Sequence, residues 1–261
     1  MKKNFLMLYF CAITLSLAGC MSNTEENEIT IAAASSLTDV LEQAIPLFEK
    51  EYDIEVNLLL GGSGKLARQI EQGAPVDVYL SADRRWIEDL EQAGMVETDS
   101  YVEYATNRLV LVGSNTQEES LVFRKLNSLS NDKQLAIGNP KSVPAGTYTK
   151  QAMEKIQVWE QLKKQVIFAS NVRQVLTYVE TDEVDYGIIY ASDAEISDNV
   201  KVLDEVDNQL HDSIIYPGII TSKSRSKEKS KAFLSFLNKK QIQGIFKSYG
   251  FMSVANRSMV E

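Results

Sequence analysis

From Ile29 onward the chain alternates short apolar runs with amphipathic stretches of helical spacing, and this rhythm restricts its possible folds more than any other feature. Ile29–Ala34 is strand-like, and the stretch Leu37–Glu51 sets Leu37, Val40, Leu41, Ala44, Ile45 and Phe48 on one helical face. Strand patterns follow at Ile54–Leu60 and Val76–Leu80, with helical patterns at Lys65–Gln72 and Arg84–Ala93. The order returns with strands at Leu135–Ile137, Val166–Ala169 and Tyr186–Tyr190, and helices at Thr147–Val158 and Val172–Thr181. Parallel strands need crossover connections, usually helices, so the alternation predicts an α/β fold with largely parallel sheets.

Two segments break the rhythm. Arg108–Val112 and Ile214–Thr221 are apolar β-type runs with no helix following at the usual distance. They are read as a pair of crossover strands joining two lobes. The expected division is 29–106 with 217–261 for lobe one, and 107–216 for lobe two. Helices at Lys227–Asn238 and Gln241–Tyr249 would complete lobe one.

The first residues place the protein outside the cytoplasm. Lys2 and Lys3 precede an apolar run from Phe5 to Leu17, which ends in Leu17-Ala18-Gly19-Cys20. A basic start, a short apolar stretch and small residues at the cut are the pattern of a signal peptide, here residues 1–19. Leu-Ala-Gly-Cys also resembles the bacterial lipobox, which implies a lipid anchor on Cys20. Residues 20–28 are polar and acidic and read as a flexible tether. Cleavage removes two lysines and no acid, taking the formal charge from −9 to −11. Such a surface repels nucleic acid and anionic lipid, so membrane contact is expected through the anchor alone. One of the two cysteines, Cys11, leaves with the signal peptide, and His211 is the single histidine. Neither a disulfide within the mature chain nor a His-rich metal site is then expected, and no cofactor.

In open α/β sheets ligands bind beyond the carboxyl ends of strands, where helix N-termini gather. Four such junctions stand out. In Ala33-Ala34-Ser35-Ser36-Leu37-Thr38-Asp39, Ser36 and Asp39 match a capping box. Gly61-Gly62-Ser63-Gly64-Lys65-Leu66 superficially suggests a phosphate loop, but Leu59 and Leu66 stand where that motif needs a glycine and a Ser/Thr. What remains is a turn whose backbone can approach a ligand, with Ser63 at the helix mouth. Val143-Pro144-Ala145-Gly146-Thr147-Tyr148 and Ser170-Asn171-Val172-Arg173 open two further helices. Singly each junction is an ordinary helix start; together they suggest a shared anion site. Each helix N-terminus carries about +0.5 charge and amides without intrahelical partners, so no lysine or arginine is required. Lys65 and Arg173 are read as facing solvent or standing behind the ligand-contacting groups. A secreted hydrolase using Ser63 or Ser36 would need a base, and His211 sits in the polar stretch Asp207–Asp212, where it reads as a solvated loop residue. A sensory or adhesion module without transport is a third reading.

Longer segments carry a family resemblance. Ala32–Asp39, Gly62–Asp77, Ala136–Pro140 with Val143–Tyr148, Asn171-Val172-Arg173, Gly187–Tyr190 with Asp193-Ala194, and Ile245–Phe251 together resemble the molybdate-binding proteins of bacterial ABC transporters, in this order and from Ile29 to near the C-terminus. The resemblance implies a type II periplasmic-binding-protein fold, two α/β lobes closing on one oxyanion, with no catalytic residue. Ligand contacts carried over by position fall on the hydroxyls of Ser36, Ser63 and Tyr190 and on the amides of Ala145 and Val172. Some members are serine-rich where this chain has Gly61–Lys65. The implied cargo is molybdate or tungstate, with molybdenum held only as the oxyanion and no direct protein–metal bond. Sulfate or another tetrahedral oxyanion is the alternative. The implied partners are an ABC permease and its ATPase, with the receptor itself a monomer.

Overall fold

The computed structural model describes residues 27–117 and 121–254. The signal peptide, Cys20 and nearly all of the expected tether lie outside them. The first elements are β1 (Glu28–Ala34), α1 (Thr38–Tyr52), β2 (Glu55–Gly61), α2 (Ser63–Glu71), β3 (Val78–Leu80), α3 (Arg85–Gln92) and β4 (Val102–Thr106). There follow β5 (Leu109–Ser114), β6 (Leu135–Gly138), α4 (Pro144–Lys155), α5 (Trp159–Leu162), β7 (Val166–Ala169), α6 (Val172–Glu180), β8 (Tyr186–Tyr190), α7 (Ala191–Glu195) and β9 (Val200–Glu205). The chain ends with β10 (Ile215–Ile220), α8 (Lys227–Leu237) and α9 (Lys240–Ser248). Three short 3-10 turns cover Ser35–Leu37, Phe123–Ser128 and Asn208–Leu210.

These strands form two five-stranded sheets, ordered β2-β1-β3-β10-β4 and β7-β6-β8-β5-β9. The chain passes from the first sheet to the second through Asn107 and Arg108, and returns between β9 and β10. The sheets are mixed rather than largely parallel. β1 pairs in parallel with β2 and β3, as β6 does with β7 and β8. By contrast β10 runs antiparallel between β3 and β4, and β5 antiparallel between β8 and β9. Each antiparallel strand enters from the other lobe instead of through a covering helix, so nothing forces it to share its neighbours' direction.

Helices cover the sheets with the residues that sequence spacing assigns to the core. Val40, Leu41, Ala44, Ile45 and Phe48 of α1 are all buried. The Phe48 ring meets Phe233 edge-on at 5.0 Å and Phe236 at 5.3 Å, which ties α8 to the first sheet's helical layer. No helix among the described residues is long and apolar enough to cross a membrane. With β1, β2, β6 and β8 all ending toward the space between the sheets, the loops that follow them meet there.

Candidate functional site: a hollow lined by hydrogen-bond donors

Five short stretches converge on one hollow. Ser36 sits in the 3-10 turn after β1, Ser63 is the first residue of α2, Ala145 the second of α4, Val172 the first of α6, and Tyr190 the last of β8. All five line the same cavity, together with Gly61, Gly62 and Pro144. Its empty volume is about 180 Å³, too small for a sugar or a peptide.

The hydroxyls are oriented by what they already accept. Ala82 N–H donates to Ser63 Oγ at 3.1 Å, which leaves the serine's own proton for the hollow. Ser36 Oγ lies 2.9 Å from the Tyr216 hydroxyl. Tyr190 Oη is buried with no hydrogen-bond partner among the described residues, and burial holds its titration well above the usual tyrosine range, so it stays protonated. A buried hydroxyl without a partner is costly, and a bound acceptor would relieve that cost.

The amides come from helix starts. The first turn of a helix has no intrahelical acceptors for its N–H groups. Pro144 opens α4, and Gly146 lets the turn rest on the end of β6: a Cβ there would stand 1.8 Å from Gly138 O. At α6 the Asn171 side chain accepts from Gln174 N–H at 3.0 Å, a cap that leaves the Val172 amide uncapped.

Formal charge stands back from the hollow, none of whose lining residues is ionisable apart from Tyr190. Lys65 is exposed. Arg173 forms an ion pair with Asp39, and its Nε lies 2.6 Å from Asp193 Oδ1. Asp193 is fully buried; desolvation pushes its carboxyl up to about 6 against the opposing pull of the guanidinium. One cation thus serves two carboxylates.

Around the hollow the two halves touch closely. Gly64 N–H donates to Ser142 O at 2.9 Å, and the Tyr148 hydroxyl to Ala82 O at 3.4 Å. A larger, open depression with an empty volume of about 740 Å³ borders Asp83, Arg85, Tyr148 and Asp212. Its charges engage one another: Arg85 lies 3.5 Å from Asp83, and Gln151 donates to Asp212 at 2.7 Å.

Two sequence expectations are corrected. The Ser36–Asp39 capping box does not form, because Ser36 lies inside a 3-10 turn rather than at a helix boundary. Its hydroxyl turns to Tyr216 and Asp39 turns to Arg173. His211 is buried instead of solvated: its Nδ1 is 2.7 Å from Asp212 O, and its ring lies 5.8 Å from Tyr148. It does not line the hollow, so the serine–histidine pair of a hydrolase is not assembled there. Sequence reasoning missed Tyr216 and Asn107, whose polar groups are embedded in or beside apolar strand runs. Among the described residues, no three His, Cys, Asp or Glu side chains come together as a metal site.

The sequence pattern of a family described as bacterial extracellular solute-binding protein matches residues 29–252. The molybdate-binding protein ModA of Escherichia coli is 35% identical, over 96% of this chain and 99% of that one. YvgL of Bacillus subtilis, named as an ABC transporter substrate-binding lipoprotein, is 33% identical over 94% of this chain and 96% of its own. Among solved structures, the periplasmic molybdate-binding protein of Azotobacter vinelandii superposes with a TM-score of 0.78 at 22% identity, covering 86% of this chain and 98% of that one.

Proposed function

The chain belongs to the bacterial extracellular solute-binding proteins, transporter components rather than enzymes, and from that membership we propose that it captures molybdate, with tungstate as a second cargo, for an ABC importer. The observation that carries this reading is that Ser36, Ser63, Ala145, Val172 and Tyr190, three with hydroxyls and two at helix starts, line one very small hollow. Hydrogen bonds to an ionised acceptor contribute roughly 1.5–3 kcal/mol each. Five of them, with the partial charges of the α2, α4 and α6 N-termini, are of the size needed to offset the desolvation of a small dianion, several kcal/mol or more.

In this reading the ligand contacts are all donors, and that selects. A fully deprotonated tetrahedral dianion satisfies every group, whereas the proton of hydrogen phosphate finds no acceptor. Sulfate has the right charge, and only size separates it from the larger molybdate and tungstate. In this reading Ser36, Ser63, Ala145, Val172 and Tyr190 are the ligand contacts. The lobes are 29–106 with 217–261 and 107–216, closing as a monomer over the ion. A lipid on Cys20 would hold the receptor beside its permease and ATPase, a reading supported by the lipoprotein name of YvgL.

A thermal-shift panel tests the proposal. Micromolar molybdate and tungstate should raise the melting temperature by several degrees, as linkage requires, with sulfate weaker and phosphate weakest. No shift with any of the four would end the receptor reading, and a response to sulfate alone would reassign the cargo.

A further inference from the structure

We propose that Asn107 and Tyr216 form a one-way hydrogen-bond relay that fixes Ser36 as a donor to the bound anion, making both residues determinants of what the hollow accepts. The proposal rests on the oxyanion reading and concerns two residues outside the ligand contacts.

The direction of the relay follows from groups that can act in only one sense. Asn107 Oδ1 accepts from Arg108 N–H at 2.9 Å, which settles the amide's orientation and turns its nitrogen the other way. That nitrogen lies 2.8 Å from Ser192 Oγ and 3.4 Å from the Tyr216 hydroxyl. An amide nitrogen only donates, so the Tyr216 oxygen is the acceptor there. Its own proton goes to its other neighbour, Ser36 Oγ, at 2.9 Å. Ser36 has then accepted one bond and keeps its proton for the hollow. Tyr216 is fully buried and its titration is pushed far above the ordinary range by burial, so the relay does not lose its proton at physiological pH.

The backbone places the relay where it can work. Asn107 lies in the two-residue link from β4 to β5, and Tyr216 lies in β10, so both stand where the chain passes between the sheets. The pairing of β10 with β4 shifts register between Tyr216 and Pro217. The residue left over by that shift is Tyr104 of β4, while Tyr216 stays paired with Ala105, and the Tyr216 hydroxyl reaches a serine 180 positions away. The consequence is chemical. Ser63 is held as a donor by Ala82 N–H, Tyr190 has no acceptor within the protein, and the relay removes the remaining freedom, that of Ser36 to accept a proton from its ligand.

Molybdate dissociation constants for wild type, Tyr216→Phe, Ser36→Ala and the double variant test the relay. Phenylalanine keeps the ring that packs 5.8 Å from Tyr190 and 5.3 Å from Phe251, and removes only the hydroxyl. Tyr216→Phe should weaken binding about tenfold, the scale of one bond to a charged acceptor. In the Ser36→Ala background the same change should cost nothing further, because the group it orients is gone. Asn107→Ala should show a smaller loss with the same dependence on Ser36, and ligand-free melting curves for each variant separate loss of binding from loss of fold. Unchanged affinity in Tyr216→Phe, or an equal fold-loss with and without the Ser36 hydroxyl, overturns the relay alone. A wild-type protein that binds neither molybdate, tungstate nor sulfate overturns the oxyanion reading beneath it.

Discussion

Replacing Gly62 with alanine should cripple anion binding while leaving the ligand-free protein as stable as before. Gly62 has φ −68° and ψ 133°, a conformation open to any residue, so the new methyl strains nothing within its own loop. By restricting the unfolded chain it could even add about 0.4–1 kcal/mol of stability. The obstruction lies across the seam. A Cβ at position 62 would stand 2.8 Å from Ser170 O and 3.2 Å from Ser142 O, with Val143 Cγ2 at 3.4 Å. The two nearest atoms are backbone oxygens, so no rotamer change relieves the contact; the two halves must part where Gly64 N–H meets Ser142 O. Overpacking of this kind costs typically 1–3 kcal/mol. In the proposed mechanism an open, empty receptor escapes that cost and the closed, loaded one does not, so the dissociation constant should rise by roughly 5- to 150-fold. Titration calorimetry with molybdate, run beside melting curves of the empty protein, reads both quantities. Gly61→Ala is the control: there the nearest atoms are Leu66 Cδ2 and Cγ at 3.5 Å, an ordinary contact within the same half. Wild-type affinity in Gly62→Ala, or equal damage from Gly61→Ala, would refute the reasoning.

The other expectations are more direct. Tyr190→Phe should lose roughly 1.5–3 kcal/mol of molybdate affinity by removing the unpartnered hydroxyl, and an unchanged dissociation constant would take that residue out of the site. Lys65→Met should matter far less than Ser63→Ala, since Lys65 is exposed while Ser63 lines the hollow; the reverse ranking in the same titration would show that formal charge neutralises the ion. Burial lifts the Asp193 carboxyl from 3.8 to about 6, so the folded protein binds that proton more tightly than the unfolded chain. The stability this group contributes is present below about pH 4 and is lost as pH rises through about 6. Asp193→Asn should therefore flatten the melting-temperature profile between pH 4 and 6, and profiles that stay parallel would contradict the assignment.

Much of this structure can be read from local pattern. Helix α1 follows from its apolar spacing, β1, β6 and β8 from apolar runs that are buried in their sheets, and the edge strands β2 and β7 from apolar runs that stay partly exposed at Leu59, Leu60 and Phe168. Strands β4 and β9 escape because Val102-Glu103-Tyr104-Ala105-Thr106 and Val200-Lys201-Val202-Leu203-Asp204-Glu205 mix charge with apolar residues, unlike the other two edges, β2 and β7, whose runs are apolar enough to be read. Helix α4 starts at Pro144 and not at Thr147, because a proline at the first position replaces an amide the helix does not use. In the hollow, the hydroxyls and amides announce themselves as polar residues at helix mouths. Tyr190 has no such local mark and is reached only through resemblance. Tyr216 is invisible from sequence for a different reason: its partner Ser36 is 180 residues away, and nothing near Ile214–Thr221 hints at a polar role.

The place of β10 also dictates an order of assembly. Within its sheet β4 pairs with no strand but β10, and β3 has only β1 until β10 slides in on its other side. Residues 28–106 precede Ile215–Ile220 in the chain, so until β10 is in place the folding sheet carries two unsatisfied strand borders. Pairing across such sequence distance is slow, and bare borders invite wrong neighbours. The sheet begun first is therefore completed last, and a chain cut short after β9 would leave β4 stranded.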